Sequence, residues 1–169
     1  SITSQLFMIP MSLAIALTIR VGTYYGEKNW VAMRQVQWLG LATATVLAVL
    51  TMLLLWFFKY EIVALYTSEM QDTQIAVYLV LFAIAYQLMD AWQISAAGCL
   101  RGMQDTKGPM WITMLAYWVI AFPVGVYLSR FTEMGAAGVW VGLIVGLSVA
   151  CVLLLARLYG NNRRLSLKV

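Results

Sequence analysis

Asp90 is the residue whose chemistry most needs explaining. It lies in AYQLMDAWQISAAG (Ala85–Gly98), within a long apolar stretch that predicts a membrane-spanning helix. About 16 Å of helix separates it from Arg101, which brings it near the middle of a hydrocarbon core about 30 Å thick. An Asp at that depth costs at least about 2.5 kcal/mol, and acids retained there mark ion or substrate paths by default. Tyr86 at i−4, Gln87 at i−3 and Gln93 at i+3 fall on its helix face and form a polar stripe on an otherwise apolar helix. Such a stripe should line a cavity or meet another helix. Four roles remain open for the carboxyl. It can exchange a proton, hold Na⁺ as a metal ligand with neighbouring oxygens, pair with a cationic substrate, or serve as a hydrogen-bonded structural acid.

Little else in the chain offers chemistry. There is no histidine, which removes Ser-His-Asp triads, Cys-His pairs and HExxH zinc sites. Cys99 and Cys151 stand alone in apolar surroundings and are expected to be small packing residues. No phosphate-binding glycine loop is present. The expectation is a protein that is not an enzyme and carries no cofactor.

The elements that must position Asp90 follow from composition. Of 169 residues, 63% are hydrophobic and 11% charged, with a mean hydropathy of +0.82. Soluble domains carry about 25% charged residues, so an all-α, polytopic membrane protein is the expectation. Five spans are predicted, at about 2–25, 36–58, 74–100, 109–128 and 135–158. They are too long and too continuously apolar for alternating barrel strands. Because Ser1 stands almost inside the first span with no initiator Met, the chain reads as a fragment.

Charge orients the bundle. Arg20, Lys28, Arg34, Arg101, Lys107, Arg157, Arg163, Arg164 and Lys168 fall on one face, against Lys59 and Arg130 on the other. By the positive-inside rule the richer face is cytoplasmic, and so is the C-terminus. This distribution explains the net charge of +4 through lipid headgroups and argues against a nucleic-acid partner. Pro10 and Pro123 lie within spans, where each should bend its helix, as a fixed kink or as a hinge. Pro123 takes the intrahelical partner from the Val119 carbonyl. Gly138, Gly142 and Gly146 recur every four residues and predict a flat face for close helix packing.

Several segments together resemble the MATE family, the multidrug and toxin extrusion antiporters, in its NorM-like branch. They are IPMSLAIALTIRVGTYYGEKN (Ile9–Asn29), LRGMQDTKGPM (Leu100–Met110), AYWVIAFPVG (Ala116–Gly125) and MGAAGVWVGLIVGL (Met134–Leu147), with Asp90 where that branch has a membrane acid. The resemblance implies part of a twelve-helix, two-lobe fold, here about helices 8 to 12 of the C-terminal lobe. Helix 7 and the N-terminal lobe would then be missing partners within the same protein. It also implies export of cationic drugs across the cytoplasmic (inner) membrane in exchange for Na⁺ or H⁺. Asp90 and Tyr86 would sit at the cation site, Gln87 and Gln93 in the cavity, and Pro10 and Pro123 at bends. Glu69 and Asp72 would be either solvated loop charges or part of a substrate entrance. Two other readings compete. One is a lipid-linked oligosaccharide flippase of the same superfamily, which would want basic residues in its cavity. The other is a structural or channel-like membrane subunit.

Overall fold

A computed structural model describes residues 2–61, 70–133 and 135–167. Helices account for nearly all of these residues: α1 (Ile2–Gly26), α2 (Trp30–Phe57), α3 (Met70–Gly102), α4 (Lys107–Leu115), a π-helical turn (Ala116–Ala121), α5 (Phe122–Phe131) and α6 (Ala136–Ser166). Among the described residues there is no strand. Three segments are long and apolar enough to cross a membrane: Trp30–Phe57, Lys107–Phe131 and Ala137–Ser166.

Short, explicit signals separate the helices. Asn29 caps α2, its side-chain oxygen accepting from the Ala32 N–H at 3.2 Å, which satisfies one of the donors a helix start leaves free. This cap moves the start of α2 six residues ahead of the expected Val36. Gly135 has a φ of +50°, a conformation suited to a residue without Cβ, and it directly precedes α6. At its far end α6 runs on to Ser166. Asn161, Asn162 and Arg163 therefore stand on a helix rather than in a tail.

The helix α3 is the hub, packing against α1, α2 and α6. Its buried residues Ala96, Cys99 and Leu100 join Leu17 and Val21 of α1, Met33 of α2, and Leu154 and Leu158 of α6 in one core cluster. Two seams bring backbones together without intervening side chains. In the first, a Cβ placed on Gly98 would lie 2.7 Å from the Ala14 carbonyl oxygen, and one on Gly102 would lie 2.7 Å from that of Thr18. The Thr18 hydroxyl donates across this seam to the Gly98 carbonyl at 3.0 Å. In the second, Gly138, Gly142 and Gly146 of α6 meet Leu128, Gly125 and Ala121. The four-residue glycine repeat thus packs as its spacing predicts.

The bundle exposes large apolar side chains around its outside, among them Ile19, Leu39, Leu50, Trp118, Phe122 and Val152. In water such a surface would drive aggregation, whereas lipid tails solvate it.

Pro123 differs from the simple expectation of a kinked α-helix. It occupies the second position of α5, where a missing N–H is tolerated. The turn before it widens to π geometry, and the Phe122 N–H bonds back to the Tyr117 carbonyl, five residues earlier. Inserting a residue into the turn is one of the ways a helix accommodates an interrupted hydrogen-bond ladder. Pro123 is exposed, while Pro10 is buried in a crevice with Leu13, Ala44, Ala48, Thr51, Gln87 and Ala91, where α1, α2 and α3 converge.

Candidate functional site

Asp90 is 6% exposed and Gln93 8%. Both belong to the half of α3 that is held on three sides, and Ala91, next to Asp90, packs with Ala44 and Ala48 of α2. Tyr86 is half-buried. The π-helical turn brings a second phenol to the group: the Tyr117 hydroxyl donates to Gln93 Oε1 at 3.1 Å. Tyr117 is also a neighbour of Tyr86, and Asp90 lies within electrostatic reach of both phenols. The cluster therefore gathers a carboxyl, two phenols and an amide from α3 and the π-helical turn. Among the described residues the one ion pair joins Arg157 to Asp105, so Asp90 has no cationic side chain as partner there.

Gln87 does not join this group. Its Nε2 approaches Thr51 Oγ1 of α2 at 3.5 Å, and it lines the crevice beside Pro10. Helix geometry explains the split. At about 100° per residue, Asp90 and Gln93 lie within about 40° of Tyr86, whereas Gln87 is rotated about 100° from it. Spacing of three or four residues places side chains near one another, but the resulting arc is wide enough to face two different helices.

Tyr117 is the member that sequence reasoning missed. Its signal was a polar tip among apolar residues in AYWVIAFP, six residues before Pro123. Nothing within one helix says that this tip meets Gln93. Glu69 lies outside the described residues. Asp72 falls near the start of α3, and its side chain is likewise outside them.

A second polar cluster closes the basic end of the bundle. Asp105, in the turn between α3 and α4, accepts a fork of two bonds from Arg157, with Nη2 to Oδ1 at 3.1 Å. It also accepts from Asn161 Nδ2 at 3.2 Å and from the Gly108 N–H at 3.2 Å. The Arg157 bonds hold its carboxyl below the ordinary carboxylate range. Nearby, buried Gln37 of α2 accepts from Asn162 Nδ2 at 2.7 Å, and Arg34 Nη2 donates to the Asn162 carbonyl at 2.8 Å. These bonds tie α6 to the α3–α4 turn and to α2.

The MatE family model matches residues 1–127. The chain belongs to the MatE family. Relatives of this MatE chain include a "Probable multidrug resistance protein NorM" from Acinetobacter baylyi, 73% identical over 166 residues. That alignment covers 98% of this chain and 37% of the relative. A Bacillus cereus protein of the same name is 38% identical over 165 residues, covering 98% of this chain and 36% of that protein. The MatE chain thus spans little more than a third of the relatives' length. Its fold matches a solved structure described as the inward-facing conformation of a multidrug resistance MATE family transporter of the MOP superfamily. The TM-score is 0.85 at 16% identity, over 96% of this chain and 38% of that one. The fold is therefore part of the MATE transporter fold.

Proposed function

We propose that this chain is the C-terminal-lobe portion of a cation-coupled multidrug exporter, and that Asp90 is where the coupling cation binds. The observation that carries the reading is a carboxyl 6% exposed in the middle of α3, without a cationic side chain beside it among the described residues. A buried carboxylate without a counter-ion is costly, so the site gains most from taking up either H⁺ or Na⁺. The oxygens of Tyr86, Gln93 and Tyr117 are available to a bound cation, and helix 7 and the N-terminal lobe would supply the remaining ligands.

Exchange then follows from competition. A cationic drug and the coupling ion both seek the same negative charge, so each displaces the other. For the cycle to turn, the two ligands must favour different conformations, because equal affinity for both states shifts nothing. The exporter would sit in the inner membrane with its basic face and C-terminus in the cytoplasm. The exposed apolar surface and the concentration of basic residues at one end support that placement.

The test is Asp90→Asn in the full-length protein, which removes the charge and keeps the shape. Ethidium efflux should be lost while membrane expression stays normal. Undiminished efflux by this variant would overturn the proposal. Proteoliposomes with Na⁺ and pH gradients imposed separately then identify the coupling ion.

A further inference from the structure

A groove of about 750 Å³ runs between α2 and α6 from the basic end of the bundle down to Thr45 and Trp92, the latter two residues along α3 from Asp90. Its lining combines Arg34 and Arg163 with the apolar Trp38, Leu41, Trp92 and Leu155. Among the described residues no carboxylate lines it. From Arg34 to Thr45 it follows α2 for 11 residues, or about 16 Å, matching the roughly 15 Å of hydrocarbon in one leaflet. Polar groups thus stand at one end of a leaflet-deep apolar channel. Trp92 is held in place there, its indole N–H donating to Thr45 Oγ1 at 2.8 Å.

Bonding capacity is left over at the charged end. The Arg34 Nε–H donor is buried and has no hydrogen-bond partner among the described residues, although Arg34 Nη2 is engaged with the Asn162 carbonyl. Unpaired buried polar atoms are costly and call for a ligand or a rearrangement that pairs them. Arg163, which lines the same groove, is exposed.

We infer that this groove binds one anionic phospholipid of the cytoplasmic leaflet, with its phosphate between Arg34 and Arg163 and an acyl chain along Leu41, Trp92 and Leu155. Guanidinium groups suit phosphate because their planar fork presents parallel donors. The same charges repel a cationic drug, so the charged end of the groove is chemically opposite to the Asp90 cluster. Tyr159 also lines the groove and, like Trp38, is largely exposed, as aromatic side chains are at headgroup depth.

The test uses the full-length transporter purified from phosphatidylglycerol/phosphatidylcholine nanodiscs, with native mass spectrometry counting the lipids retained. The wild type should retain one phosphatidylglycerol in preference to phosphatidylcholine. Each arginine near the headgroups contributes about fivefold in affinity, so Arg34→Gln with Arg163→Gln should weaken retention about thirtyfold. Arg163→Gln alone changes only an exposed residue and should weaken it about fivefold, which keeps the test valid if the double variant misfolds. Lys107→Gln, on the same face but outside the groove, should behave as wild type. Equal retention of the two lipids by the wild type would overturn the inference. So would unchanged phosphatidylglycerol retention in Arg163→Gln, the result expected if another segment of the transporter fills the groove.

Discussion

The glycine face of α6 makes a quantitative prediction. A Cβ added at Gly142 would lie 2.5 Å from both the Cα and the N of Gly125, and 2.8 Å from the Ala121 carbonyl oxygen. Ordinary contacts between such atoms are about 3.5–4.0 Å, so α5 must retreat by about 1 Å. Backbone cannot rotate out of the way as a side chain can, and overpacking of this kind costs about 1–3 kcal/mol. Gly160, on the same helix, has nothing within 4 Å of the same construction. There the change to Ala should instead stabilise by up to about 1 kcal/mol, because Ala is the better helix former. The assay is thermal unfolding of the full-length transporter in detergent, followed by tryptophan fluorescence. Gly142→Ala should lower the apparent melting temperature by several degrees and Gly160→Ala should leave it unchanged or raise it. If both substitutions shift the melting temperature in the same direction and by the same amount, the backbone seam is not what holds α5 to α6.

Other outcomes follow from single contacts. Tyr117→Phe removes the donor to Gln93 Oε1 and should alter the pH or Na⁺ dependence of efflux with little change in expression, measured in the same proteoliposomes. Asp105→Ala should loosen the basic end by at most about 1 kcal/mol, because the partly exposed Arg157 is screened by water; limited proteolysis of the α3–α4 turn measures this. The Asp105 carboxyl is held below its ordinary range. Its contribution is therefore fully present above the unfolded value of about 3.9 and fades as pH falls through the lower folded value. Thermal stability between pH 5 and 8 should owe no change to this group. Cys99 and Cys151 are free and buried, so a membrane-permeant maleimide should label them only after denaturation.

Within the described residues, much of this arrangement was legible because a membrane simplifies the reading. Apolar length marks the helices, glycine spacing marks a close seam, and Asp90 stands out against its background. The rest depends on relations between helices. Gln87 and Gln93 look equivalent from Asp90 outward, and only the positions of α2 and the π-helical turn assign them to different partners. Pro123 announces an interrupted ladder without saying that the preceding turn widens to absorb it. Asp105 resembles an ordinary loop acid until the packing of α6 brings Arg157, and its extra turns bring Asn161, against it. Arg34 counts toward membrane orientation in one dimension and becomes part of a groove wall in three.

The two backbone seams also set the mechanical compliance of the bundle. The helices α1 and α3 are joined through Gly98 and Gly102, and the π-helical turn and α5 are joined to α6 through Gly138, Gly142 and Gly146. Each pair is stiff, since atoms in direct backbone contact have no rotamers to change. Between the pairs lie side chains such as Leu100, Leu154 and Leu158, which can slide past one another at lower energy. Asp90 and Gln93 ride on the first pair and Tyr117 on the second, so the Tyr117–Gln93 hydrogen bond is a gauge of any displacement of one pair against the other.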